Sequence, residues 1–178
     1  MKTKIVLCLL FVGMMTTGAS CVNENAVVSV DFPISYQYAI NPGSNTTFNE
    51  SKTVIVTDQV ADSYRDKIQN ARYYDVRVWV SGAYTGSVTG SGYVNNMKLI
   101  DFSGQWSDFT SPQSLLGSST HITLQPQGKA ELLRVLGLVS SSPQTTLTVS
   151  ATGSVSQGPV PSGLSIHIDI YAQADSQI

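Results

Sequence analysis

The sequence predicts an all-β chain, an immunoglobulin-like β-sandwich of about eight or nine short strands with two short helices in the connections. Three observations predict it. Apolar and polar residues alternate with a period of two through most of the chain, most regularly from Tyr74 to Gly82 (YDVRVWVSG), as in strands buried on one face. Turn clusters rich in Gly, Pro, Asn and Ser punctuate these runs. Charged residues make up only 12 % of the 178, against about 25 % in an average domain, so hydroxyls fill the polar half of the alternation. Residues 21–178 hold 23 Ser and 13 Thr, and Thr itself favours a pleated backbone.

Taken in order, Ala26 to Phe32 (AVVSVDF) reads as a strand that Pro33 breaks or bends, and Ile34 to Ile40 (ISYQYAI) alternates again. Asn41 to Thr47 (NPGSNTT) is a turn, and Lys52 to Thr57 (KTVIVT) a β-branched strand. Thr57 is placed to cap a short helix from Asp58 to Asn70, with Val60, Tyr64 and Ile68 on one face. In the strand from Tyr74, residues Tyr74, Val76, Val78 and Val80 point one way and Asp75, Arg77, Trp79 and Ser81 the other. Gly82 to Gly92 is a weaker strand bent at its glycines, continued by Tyr93 to Phe102. Gly104 to Gly117 has no period and reads as a loop; Thr120 to Leu124 is a short strand, and Lys129 to Val139 a helix. After the Ser140–Gln144 linker, two strands, Thr145 to Val155 and Leu164 to Ala172, flank a proline-pinned turn, Gly158 to Gly163. Residues 26–178 thus form one domain, long enough to bury a core.

Composition excludes several functions. With 10 Lys and Arg against 12 Asp and Glu, nothing neutralises a phosphate backbone, so no nucleic-acid partner is expected. Two cysteines supply neither a disulfide scaffold nor a four-ligand zinc site, and neither His121 nor His167 lies in a HExxH or Cys/His pattern.

The first twenty residues read as an address. Lys2 and Lys4 precede an apolar run, Ile5 to Met15, and then small polar residues, Thr16 to Ser20. This is the layout of a secretory signal peptide, and the run is too short to span a bilayer as a helix. Cleavage before Cys21 removes Lys2, Lys4 and Cys8, leaving Cys21 as the sole thiol and first residue. A lone cysteine in an exported chain requires an explanation. Val22 to Asn25 (VNEN) would then be a short tether, with Glu24 the acidic residue nearest the cysteine.

The segment Gly18-Ala19-Ser20-Cys21 resembles the lipobox of bacterial lipoproteins, with Gly18 at a position that is usually aliphatic. Gly18 and Ser20 also suit an ordinary signal-cleavage site. The resemblance implies acylation of Cys21, with palmitate among the chains, and a place in the bacterial cell envelope, on the outer membrane. Together with the β-rich composition, the chain resembles small envelope lipoproteins carrying one immunoglobulin-like sandwich. It implies a non-catalytic protein-interaction or structural module, whose partners are the membrane through its N-terminal lipid and another envelope protein or a surface glycan.

Few residues invite chemistry. His167 and Asp169 share one face of the last strand, where a His–carboxylate pair could take a metal or activate a hydroxyl; no third ligand or nucleophile motif accompanies them, so they read as polar residues on a solvated face. Asp58, Asp62 and Asp66 recur every four residues without the spacing of a calcium loop, and read as the acidic face of the expected helix. No phosphate loop or GxSxG elbow is present. No catalytic residue, metal ligand or cofactor is therefore assigned. The candidate binding surface is aromatic: Arg77, Trp79, Tyr93 and Trp106, since Trp and Tyr make rigid amphipathic anchors and stack on sugars. The competing reading of Trp79 and Trp106 is as core.

Overall fold

Strands form where the alternation is found, because two facing sheets let each strand bury one side and wet the other. The computed structural model describes residues 27–177 apart from 44, 45, 116, 118 and 143. The expected signal segment 1–20, Cys21, the expected tether to Asn25 and Ala26 lie outside the described residues. Nine strands follow: β1 (Val27–Ala39), β2 (Thr47–Ile55), β3 (Ile68–Ser81), β4 (Ser87–Val94), β5 (Met97–Gln105), β6 (Gln113–Ser114), β7 (Ile122–Leu124), β8 (Thr146–Val155) and β9 (Ser165–Gln177). Two α-helices, α1 (Asp62–Arg65) and α2 (Pro126–Leu138), and two 3-10 turns (Thr57–Gln59 and Trp106–Phe109) lie in the connections.

All strand pairs are antiparallel. One sheet has the order β1-β9-β3-β6 and the other β2-β8-β4-β5-β7. The expected all-β sandwich with helices in its connections is therefore present. Its connectivity is that of a jelly roll: β1 and β2 lie in opposite sheets, and β9 and β8 run beside them as a second leg. In the immunoglobulin order the first two strands share a sheet.

The inner faces meet in one core. Ile34, Tyr36, Val76, Val78, Ile166 and Ile168 from the first sheet pack toward Val88, Val94, Leu147, Val149 and Ala151 from the second. Tyr36 and Tyr38 reach between the sheets. The Tyr38 hydroxyl donates to the Val149 carbonyl at 2.8 Å and the Tyr36 hydroxyl lies 3.5 Å from that of Leu147. Burial pushes both phenols far above their ordinary pKa.

Local propensity yields to long-range pairing at several points. Pro33 does not break β1, which pairs with β9 on both sides of it, Phe32 with Ala172 and Ile34 with Ile170. β1 is an edge strand, where a missing N–H can face solvent. The helix expected over 58–70 is reduced to the 3-10 turn and the single turn α1, because Ile68 to Tyr73 pair with the end of β9 instead. Ala61, rather than Thr57, holds the α1 N-cap position, and Thr57 is buried. A register shift between Tyr73 and Asp75 sends Tyr74 to solvent while Val76, Val78 and Val80 stay inside. The loop expected over 104–117 contains a 3-10 turn and β6.

Helix α2 starts at Pro126, a residue suited to a first helical turn, and buries Leu132, Val135 and Leu136. Gly128 lies directly against the backbone of Lys98 and Leu99, where any Cβ would collide.

Candidate functional site on the outer sheet faces

The predicted aromatic surface does not assemble. Arg77 and Trp79 lie on the outer face of the first sheet, Tyr93 on that of the second, and Trp106 between the sheets. Trp106 is 1 % exposed, so it is core and not a binding residue. The cause is local: the 3-10 turn places Trp106 and Phe109 three residues apart on one side, and both enter the core. A capping box between Gln105 and Asp108 fixes that turn. The indole meets the Tyr84 ring edge-on at 5.4 Å, and its Nε1 donates to the Gly82 carbonyl at 2.9 Å.

On the first sheet, cross-strand pairing sets Trp79 opposite His167 and Arg77 opposite Asp169. Trp79 stacks on the His167 ring at 3.6 Å. Its Nε1 donates to Asp169 Oδ2 at 2.8 Å, while His167 Nε2 lies 3.0 Å from Ser81 Oγ. Both His167 and Asp169 are only 9 % exposed, which corrects the solvated-face reading: the indole covers them. Desolvation lowers the His167 pKa, and the Asp169 charge opposes this only in part. Arg77 bonds Asp75 through Nε at 2.7 Å and lies 4.4 Å over the Tyr171 ring. Ser114 on β6 donates to the other Asp75 oxygen at 2.7 Å. These groups satisfy one another, so this face is a locked polar lattice.

The acids expected along one helix face are also redirected. Asp58 and Asp62 lie 3.6 Å and 2.8 Å from Arg65. Among the described residues, no group of three or more His, Cys, Asp or Glu is placed to hold a metal ion.

The second sheet presents a different outer face. Two polar rows cross it. One runs Asn49, Thr152, Ser91, Asp101 and Thr123, strand to strand from β2 to β7. The other runs Thr47, Ser154, Thr89 and Ser103. Between them the inner row is Phe48, Gly153, Gly90 and Phe102. The two phenyl rings turn over the glycines: a Cβ on Gly90 would lie 2.5 Å from the Phe102 ring, and one on Gly153 2.5 Å from the Phe48 ring. The sheet is therefore thin at its middle, and outside it lies an open hollow of about 510 Å³.

The charge in that hollow is organised. Asp101 accepts from Ser91 Oγ at 2.5 Å and Gln125 Nε2 at 2.7 Å, with Lys98 Nζ at 3.1 Å. Burial acts to raise its pKa, but these hydrogen bonds and the Lys98 charge prevail, and the carboxyl sits below its ordinary range. His121 lines the rim with Nδ1 3.7 Å from Asp108. Tyr93 continues the face beyond Thr152, beside Asn49, Asn96 and Ser150. A fixed carboxylate among rotatable hydroxyls can accept and donate hydrogen bonds toward a polyhydroxyl ligand. Aromatic counting missed this site; the signal was the alternation of Ser and Thr in TLTVSATGSV and SVTGSG.

No protein-family model and no curated protein matches the chain. Among solved structures, it is similar to Desmodium yellow mottle tymovirus, with 13 % identity over 86 % of this chain and 90 % of that one, at a TM-score of 0.36. Turnip yellow mosaic virus gives 12 % identity, 86 % and 96 % coverage and a TM-score of 0.39. The decameric BFDV capsid protein gives 10 %, 84 %, 99 % and 0.40. The jelly-roll assignment rests on this chain's own strand order.

Proposed function

We propose that the protein is a lipid-anchored, non-catalytic interaction module of the bacterial envelope, held at the outer membrane through Cys21. The observation that carries this reading is the short stretch of chain between Cys21 and the fold. β1 is paired with β9 from Val27 onward, six residues after Cys21. Six residues reach at most about 20 Å when extended, so an acyl group on Cys21 would keep the sandwich against the bilayer. Such confinement raises the local concentration of the domain for partners in the same layer. Cell fractionation tests it: the natural chain sediments with membranes and Cys21→Ser does not. Equal distribution of the two removes the anchor.

A second reading, binding of a surface glycan, draws support from the hydroxyl-lined hollow. It uses Tyr93, Asp101, Thr89 and Thr152 in place of Trp79 and Trp106. A glycan array on the natural chain and on Asp101→Asn and Thr152→Val decides it. Binding that survives both substitutions excludes the hollow.

A further inference from the structure

We infer that the α2 end of the sandwich rests on the lipid bilayer, with Val27, Met97, Leu133 and Leu138 as its contact residues; this rests on the anchoring proposed above. Among the described residues, the exposed large apolar side chains are these four and Tyr74. Exposed apolar residues scattered singly require no explanation. The topology brings these four to one end of the sandwich. Val27 opens β1, opposite Gln177 at the end of β9. Met97 opens β5 just after the Asn95–Asn96 turn. Helix α2 crosses this end: Asn95 bonds Glu131 at 2.8 Å, and Val139, just past the helix, lies beside Ile68 at the start of β3. Leu133 and Leu138 are exposed on the two flanks of that helix, either side of the buried Leu132, Val135 and Leu136.

The occupant follows from where the chain outside the described residues joins. Residues 1–26 meet the fold at Val27, within this end, so a lipid on Cys21 would draw this end toward the membrane first. Charges at this end are of both signs: Lys67 follows Asp66 in the chain, Lys129 lies on α2, and Arg65–Asp62 and Arg134–Glu131 are paired. Apolar contact rather than headgroup charge would therefore hold it, as for interfacial side chains that dip into the acyl boundary. The opposite end carries the connections β1–β2, β3–β4 and β8–β9. The hydroxyl hollow, on a sheet flank, would stand clear of the lipid.

The test is quenching of tryptophan fluorescence in vesicles of brominated phosphatidylcholine, using acylated protein purified from membranes and reconstituted. Trp79 and Trp106 lie toward the far end and serve as internal references. Leu133→Trp and Met97→Trp, each checked for native circular dichroism, should add emission that is blue-shifted and mostly lost to the bromolipid. The natural chain and Gln157→Trp, at the far end, should keep theirs. Acylated protein in which neither introduced tryptophan is quenched overturns the docking and leaves the anchor standing. Absence of acyl mass on the same sample overturns both.

Discussion

Replacing Trp106 separates a core indole from a ligand-stacking one. The side chain is fully enclosed, packs edge-on against Tyr84 and ties the Trp106–Phe109 turn to the Gly82 carbonyl through Nε1. Trp106→Ala removes that burial and leaves a cavity, a change that costs about 3–5 kcal/mol in folded cores. For a domain of this size each kcal/mol shifts the melting temperature by roughly 2–4 °C, so the midpoint should fall by roughly 6–20 °C. Trp106→Phe keeps part of the ring but leaves the Gly82 carbonyl without its indole donor, and should fall between the two. Thermal unfolding followed by near-ultraviolet circular dichroism measures both. An alanine variant that melts within about 2 °C of the parent would refute the packing described for this turn.

Three further outcomes follow from the same geometry. Gly153→Ala puts a methyl group against the Thr89 carbonyl and the Phe48 ring and should cost about 1–3 kcal/mol by overpacking, whereas Gly137→Ala, with open space on α2, should gain about 0.5–1 kcal/mol; urea titration orders the two. Hydrogen bonds from Arg134 and Asn95 hold the Glu131 carboxyl down at about 2, from an ordinary 4.5. Its contribution is therefore complete above pH 4.5 and lost as pH falls toward 2, and Glu131→Gln should flatten the acid limb of the stability curve. The buried His167 has a lowered pKa, so the unfolded chain takes up its proton first and stability falls as pH drops below about 6.5. His167→Gln should remove that segment of the curve, and an unchanged profile would contradict the burial beneath Trp79.

Much of the fold was legible because each strand has one dry and one wet side. The Val76, Val78 and Val80 series and the Ile166, Ile168 and Ile170 series announce their buried faces directly. Strand limits were less legible. Val60, Tyr64 and Ile68 show a helical spacing, and only pairing with the distant β9 makes Ile68 to Asn70 strand. Pro33 signals a break that an edge position renders harmless. Strand order was not legible at all, since alternation specifies which face is buried and not which neighbour is chosen. The same limit hid the candidate site. Thr89, Ser91, Thr152 and Ser154 were visible as polar positions, but their alignment into rows with Asp101 comes from the register of three strands, β4, β5 and β8. The sequence leaves Trp106 open between surface and core, because a 3-10 turn has no longer period to reveal which side it takes.

The most direct measurement of the central claim is the intact mass of the protein isolated from its native membrane, with Cys21→Ser beside it. Anchoring through Cys21 predicts a chain beginning at residue 21 and carrying acyl groups there. An unmodified thiol, or a chain that starts downstream of Cys21, would contradict it.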